Sequence, residues 1–378
     1  MGNFLWKRAS SYVSCNITVH DPTGVYEDVV DANSTIKIRG HSTSSAPKLP
    51  YNIKFSEKKE LLGLGKGKKW VLLANLYDKT LIRNKLAFTF AEDIGVNYTS
   101  SSSFAEVYVN GIYRGMYQLC EPVDTGKTKV DIEIKNNDFL LELEPYKGYS
   151  NDYCIVTPRI KLILGFNEPN APTTEQREWL RNFLEKAESA LLSGNYSEVL
   201  QYIDVDSFAR NYIVQELFKN VDYTTSSTRF YVKEGKLYEG PVWDFDLSSG
   251  NCSKTYYKKY NNVSGSGLSY EGLHCVGLYN KYLFQYEEFS QRVSEIYQEV
   301  QPIIVNLYQD NDLGENQIDQ LVAAYREDID RNYSLWHLSS VYNIYEHLPV
   351  DGTYDSEIEY LRNWLENRNI WLLEHFMP

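Results

Sequence analysis

The sequence predicts an α+β chain, β-rich over residues 1–121 and mostly helical over 122–378. Three observations predict it. Through the first third, apolar residues recur at every second position in short runs bounded by turn residues, the period of a strand with one buried face. Between two such runs stands Asn110-Gly111, the strongest short hairpin signal in the chain, because both residues accept positive φ. Beyond about Pro169 the apolar period becomes that of an amphipathic helix, with capping residues at helix starts. Strands first and helices after suit two lobes, and 378 residues suffice for two cores.

Residues 12–19 read as the first strand. In 34–40, Lys37 and Arg39 alternate with Ile36 and Ile38; in 51–55, Tyr51, Ile53 and Phe55 share one face and Asn52 and Lys54 the other. The two neighbouring strands therefore present Lys37, Arg39 and Lys54 on polar faces, either as a solvated surface or as an anion-binding floor. Gly63–Lys69 is rich in glycine and lysine but lacks the order of a phosphate-binding P-loop, and reads as a turn before the strand at 70–75. A helix is expected over 79–94, stopped by Gly95, then the 104–123 hairpin, then strands at 139–144, 153–156 and 160–164. Thr173 and Thr174, with Glu175 and Gln176 behind them, open a helix that runs to about Leu192. Residues 254–277 read as a long loop rich in Tyr, Ser and Gly, and helices recur around 279–310, 315–336 and 355–376.

The chemistry concentrates in residues 211–251. A helix ending near Phe218 leads into Asn220-Val221-Asp222 and a Ser/Thr-rich loop. Two short runs around Glu234-Gly235 read as a hairpin, and the second leads into Trp243-Asp244-Phe245-Asp246. The ends of a hairpin are close in space, so Asp222 before it and Asp244 and Asp246 after it can converge. Such carboxylates can hold Mg²⁺ or Ca²⁺ or act as a general base; Asp also caps turns with no chemistry at all. The alternation of Trp243 and Phe245 with the two acids predicts a strand with aromatics on one face and carboxylates on the other.

The net charge of −13 argues against nucleic acid as the main partner, since phosphate backbones call for a basic face. With 32 tyrosines, 15 Phe and 7 Trp, aromatic bodies can fill the core while many hydroxyls reach the surface. Five cysteines without a CxxC pair signal neither a zinc site nor a full disulfide framework, although Cys252 and Cys275 could bridge a loop. No apolar run is long enough to span a membrane.

Several motifs in order resemble the CotH family, which is named for a bacterial spore coat protein and is similar to protein kinases in fold. They are Ile38-Arg-Gly-His-Ser-Thr43 with Lys54-Phe55, Trp70–Asn75 with Asp78-Lys-Thr-Leu-Ile-Arg-Asn84, Val109–Leu119 with Glu121, and Asn220-Val-Asp222 with Trp243-Asp-Phe-Asp246. The resemblance implies a protein-kinase-like two-lobe fold and an atypical kinase that uses ATP and Mg²⁺ or Mn²⁺ to phosphorylate Ser or Thr of coat or exported proteins. It gives Asp222 the place of the catalytic base, Lys54 that of the phosphate-binding lysine with Arg39 as helper, and Asp244 with Asp246 the metal. Leu119 and Glu121 fall at a hinge beside adenine, Trp243 borders the nucleotide, and Glu142 or Glu144 could pair with Lys54 or reach the metal. His41 stands where relatives often carry Asn, and Ser227 where kinases carry a metal-binding Asn. The resemblance also implies a spore coat or cell-surface setting. A non-catalytic surface or cell-wall binding module, a pseudokinase, is the other reading.

Overall fold

The computed structural model describes residues 11–40, 42–144, 153–253, 268–343 and 345–375; His41 and most of the loop expected at 254–277 lie outside them. The described chain is mixed α/β. Six strands, β1 (Val13–Val19), β2 (Val29–Ile38), β3 (Tyr51–Glu60), β4 (Lys66–Leu73), β5 (Ser102–Val109) and β6 (Ile112–Cys120), form an antiparallel sheet in the order β1-β2-β3-β4-β6-β5. The expected turn closes β5 onto β6 with Asn110 at φ 52° and Gly111 at φ 75°. One face of this sheet buries Tyr51, Ile53, Phe55, Trp70, Leu72 and Leu119 in a core of its own. The other face sends Val71, Leu73, Phe104 and Met116 into the main core that the helices complete.

A second sheet departs from the expected lone hairpin among helices. Strands β7 (Phe139–Leu143), β8 (Cys154–Val156), β9 (Ile163–Glu168), β10 (Arg229–Lys233) and β11 (Lys236–Glu239) align as β11-β10-β7-β9-β8, again antiparallel. The β10–β11 turn is the expected one, Glu234 at φ 50° and Gly235 at φ 75°. Its partner β7 comes from far earlier in the chain, pairing Arg229 with Glu142 and Phe230 with Leu141.

Helices α1 (Arg83–Asp93), α2 (Thr174–Leu191), α3 (Tyr196–Tyr202), α4 (Val205–Leu217), α5 (Asn280–Leu283), α6 (Glu287–Glu299), α7 (Gln301–Asn306), α8 (Gln317–Leu335) and α9 (Tyr354–His375) supply the rest. The box read at Thr173 forms: Gln176 N–H donates to Thr173 Oγ1 at 3.2 Å, and Thr173 N–H donates to Gln176 Oε1 at 3.0 Å. Helix α1 begins at Arg83 rather than near Lys79. Leu81 has φ 62°, and the Asp78 carboxylate accepts from the N–H groups of Thr80 (2.9 Å) and Arg83 (2.8 Å), so a tight turn takes the place of the first helical turn.

Two buried cations knit the last helices to the rest. Lys48, with no exposed surface, donates from Nζ to Met116 O on β6 (2.6 Å) and to Asn332 Oδ1 on α8 (2.9 Å). A Cβ on Gly115 would lie 2.6 Å from Asn332 Oδ1, so only glycine lets α8 come this close to β6. Arg368 of α9 pairs with Glu216 of α4 at 2.5 Å, both buried, and also donates to the carbonyls of Tyr270 (2.7 Å) and Gly272 (2.8 Å). The expected Cys252–Cys275 bridge is absent: both thiols are free and buried in different clusters, Cys252 beside Tyr77 and Leu247 and Cys275 in the main core. Among the described residues no helix is long and apolar enough to cross a membrane.

Arg368→Met should lower the free energy of unfolding by about 3 kcal/mol in urea titrations, because it strands the Glu216 carboxylate in the core. A change below about 1 kcal/mol would show that the pair contributes no more than an exposed one.

Candidate functional site

The three acids come together. Asp222 follows α4 through Asn220, whose Oδ1 accepts from the Asp222 N–H at 3.2 Å. The Asp222 carbonyl then accepts from the N–H groups of Thr225 (2.9 Å) and Ser226 (2.8 Å), a tight turn that aims the chain into β10. Beyond β11, residues 243–246 are not the expected strand. They form an irregular segment in which Asp244 sits at φ 69°, a left-handed conformation that Asp tolerates better than most residues. The alternation survives as burial, with Trp243 and Phe245 buried and Asp244 and Asp246 half-buried.

Ser227, at φ 60°, donates from Oγ to Asp244 Oδ2 at 3.0 Å. The residue in the place of the kinase asparagine therefore holds the adjoining acid. Burial, and then the charge of Asp244, push the Asp222 carboxyl up to about 7. Burial, followed by the charges of Asp244, Asp222 and Asp78, holds Asp246 well above the usual carboxylate range. Burial is the larger cause in both, and the neighbouring acids add to it. Among the described residues no group of three His, Cys, Asp or Glu side chains is set to hold a metal by itself. A Mg²⁺ site commonly takes only one or two carboxylates and draws its other oxygens from phosphates and water, so this hard-oxygen pair fits such an ion.

Cations stand beside the acids, but Lys54 is not one of the cations found there. Arg39 lies with its guanidinium 5.3 Å from the centre of the Trp243 ring, and Arg229 lies 5.6 Å from the same ring. Trp243 is itself buried against Phe88, ring centres 5.6 Å apart, and both guanidiniums lie against its ring. The β2–β3 register explains Lys54. Arg39 N–H donates to Pro50 O at the start of β3, whereas Lys54 faces Thr35, four residues further along. At about 3.3 Å per residue the two levels are roughly 13 Å apart, farther than a lysine side chain reaches. Lys54 is exposed. Glu142 likewise pairs with Arg229 (2.9 Å) rather than with Lys54. Glu144 N–H donates to Ile163 O at 3.0 Å, beside β9.

The hinge residues also take other positions. Strand β6 lies between β4 and β5, and Leu119 faces Leu72 on one side and Ser103 on the other, so its backbone is committed to the ladder. Glu121 is buried, 3.8 Å from Lys129, and its N–H donates to Ser101 O at 3.1 Å. A cavity of about 240 Å³ opens just past them, lined by Asn52, Lys69 and Trp70 of the first sheet, Val123, and Leu140 and Asn167 of the second. Leu140 and Glu142 share a face of β7, and Asn167 Nδ2 donates to Glu142 Oε2 at 3.4 Å. The cavity thus runs toward the Glu142–Arg229 pair and the acids.

The supporting residues that sequence reasoning passed over lie in 74–84. Asp78 and Arg83 form a fully buried ion pair at 2.5 Å, and Arg83 Nη2 donates to Ser249 O at 3.5 Å. Asn251 Nδ2 donates to Asp246 O (2.5 Å) and Tyr77 O (2.8 Å), and Phe245 N–H donates to Asn84 Oδ1 at 2.7 Å. The available signal was the polar residues Asn75, Asp78, Lys79, Thr80, Arg83 and Asn84 set between apolar neighbours.

The sequence pattern of the family described as "CotH kinase protein" matches residues 36–372. No curated protein matches the chain.

Because Asp222 titrates near 7 in the folded chain and near its ordinary 3.8 when unfolded, the native state binds the extra proton between those values. Stability should therefore fall as pH rises through that window and level off above it. Asp222→Asn should reduce the slope of melting temperature between pH 5 and pH 8, leaving the part contributed by buried Glu239, pushed up to about 8, and by Asp246; an unchanged slope would place the titration elsewhere.

Proposed function

Since this chain belongs to the CotH kinase protein family, we propose that it is an ATP- and divalent-metal-dependent protein kinase acting on Ser or Thr hydroxyls, its two sheets forming the facing walls of a kinase-like cleft between two lobes. The observation that carries the reading is the crowding of Asp222 against Asp244 and Asp246 beside two guanidiniums stacked on Trp243. The cavity between the sheets has room for a base and part of a ribose, which leaves the phosphates to the Arg39 side.

In this reading Asp222 accepts the proton of the attacking hydroxyl as the new O–P bond forms. The bond from the γ-phosphorus to the β–γ bridging oxygen breaks, and ADP leaves with that electron pair. A base with a pKa near 7 is matched to neutral pH, and Asp222 has that value before any substrate arrives. Asp244 and Asp246 would hold Mg²⁺ or Mn²⁺, which, when bound, neutralises charge on the β- and γ-oxygens. Arg39 supplies the fixed positive charge that the resemblance gave to Lys54, and the Glu142–Arg229 pair keeps the second guanidinium in place. A coat or exported protein as substrate, in a spore coat or cell-surface setting, belongs to the same proposal.

Incubation with γ-labelled ATP, Mg²⁺ or Mn²⁺ and candidate proteins should label a substrate or the chain itself. Asp222→Asn and Asp244→Asn should each abolish labelling, Arg39→Ala should reduce it roughly 10²-fold, and Lys54→Ala should leave it within about threefold, the effect of an exposed residue outside the site. Full activity in both aspartate variants would overturn the assignment. Wild-type protein that is neither labelled nor stabilised against heat by millimolar ATP and Mg²⁺ would favour the non-catalytic binding module.

A further inference from the structure

A single-file chain of buried side-chain amides runs from the acid segment to the first sheet. Phe245 N–H donates to Asn84 Oδ1 (2.7 Å), Asn84 Nδ2 to Asn75 Oδ1 (3.0 Å), Asn75 Nδ2 to Gln118 Oε1 (3.1 Å), and Gln118 Nε2 to Ser102 Oγ (3.0 Å). Asn84, Asn75, Gln118 and Ser102 are all buried. Every link donates in the same direction, away from Phe245 and toward β5. An amide presents an acceptor on one side and a donor on the other, so reversing Asn84 or Asn75 would set N–H against N–H at one of its contacts and oxygen against oxygen at the other, while the Ser102 hydroxyl ends the chain. In a buried, water-poor setting each such clash leaves unsatisfied polar groups, so the chain holds one orientation as a unit.

The place where it ends gives it a role. Phe245 lies between Asp244 and Asp246, and Asp244 is in the left-handed region, so a fixed Phe245 N–H fixes the backbone from which both carboxylates project. Gln118, one link before the end at Ser102, lies on β6, two residues before Cys120 and three before Glu121, next to where the cavity begins. We propose that Asn84, Asn75 and Gln118 are positioning residues, an oriented amide relay that sets the Asp244–Asp246 backbone and couples it to the strand leading into the cleft. Through that backbone the relay tunes affinity for a divalent cation; this last step rests on the kinase reading, whereas the relay itself does not.

The chemistry of one substitution separates a relay from simple packing. Asn84→Asp is nearly isosteric. Its ionised carboxylate still accepts from Phe245 N–H but cannot donate to Asn75 Oδ1. Protonated, it can do both. Burial and the neighbouring Asp244 and Asp246 raise the introduced acid's pKa, while the adjoining Arg83 opposes them. The native arrangement should return as pH falls.

The test is amide hydrogen exchange at Phe245, expressed relative to the unstructured rate at each pH, in wild type, Asn84→Asp and Gln118→Glu. Protection of Phe245 should drop at least roughly tenfold in both variants at pH 8 while the α4 amides keep theirs. In both it should recover toward wild type near pH 5, as the introduced carboxyls protonate. Wild-type protection of Phe245 in Gln118→Glu, or equal loss across α4, overturns the relay. Should Asn84→Asp fail to fold, Gln118→Glu with Asn75→Asp decides the question by the same comparison. Titration with Mn²⁺ alone reads the last step: both variants should bind at least roughly tenfold more weakly than wild type. Wild type that binds no Mn²⁺ counts against the kinase reading, while the exchange comparison still decides the relay.

Discussion

Burial of three neighbouring acids, Asp222, Asp244 and Asp246, is the constraint around which this part of the structure is built. Left to themselves, loops carrying three acids would splay into water. Here the backbones are pinned from outside: Asn220 and Thr228 hold the turn after Asp222, Ser227 takes a carboxylate oxygen of Asp244, and Asn84 and Asn251 hold Phe245 and Asp246. Behind them the buried Asp78–Arg83 pair fixes the 77–84 turn that carries Asn84. Such a buried polar network is costly unless every member is satisfied, and then it specifies one arrangement. Burial first, and then the neighbouring charges, raises the pKa values of Asp222 and Asp246 within it.

Features set by local chemistry were legible in the sequence. The turns at Asn110-Gly111 and Glu234-Gly235 need positive φ, and their residues declare it. The Thr173 capping box needs only four consecutive residues. The gathering of the three acids followed from hairpin geometry. Features set by register or by distant partners were not legible. Arg39 and Lys54 alternate alike on their strands, and only the pairing of Arg39 with Pro50 and of Lys54 with Thr35 shows which lies level with Trp243. Glu142 meets Arg229 because β7 pairs with β10 across some ninety residues of sequence, a contact that no local pattern encodes. Residues 243–246 read as a strand from their alternation, yet Asp244 turns left-handed because Asn84 captures the next N–H.

The same logic explains why the cleft has two kinds of wall. On its first-sheet side the polar face of β3 and β4 offers Asn52 and Lys69, the latter tied to Asp124 at 2.8 Å. Toward the acids the positive charge is arginine stacked on tryptophan, a planar group with fixed donors suited to phosphate. Lys54 lies four residues further along the register, and Arg39 and Arg229 are the basic groups set against Trp243.

The central claim is that the crowded carboxylates are a protonated site waiting for a divalent cation. Proton release on Mn²⁺ binding tests it most directly, by titration calorimetry at pH 6.5 in buffers of differing ionisation enthalpy. Displacement of protons from Asp222 and Asp246 predicts release of roughly one proton or more per Mn²⁺ bound, smaller at pH 9, where Asp222 is already ionised, and smaller in Asp222→Asn. Binding with no proton release at pH 6.5, or the same release in Asp222→Asn, would contradict the account.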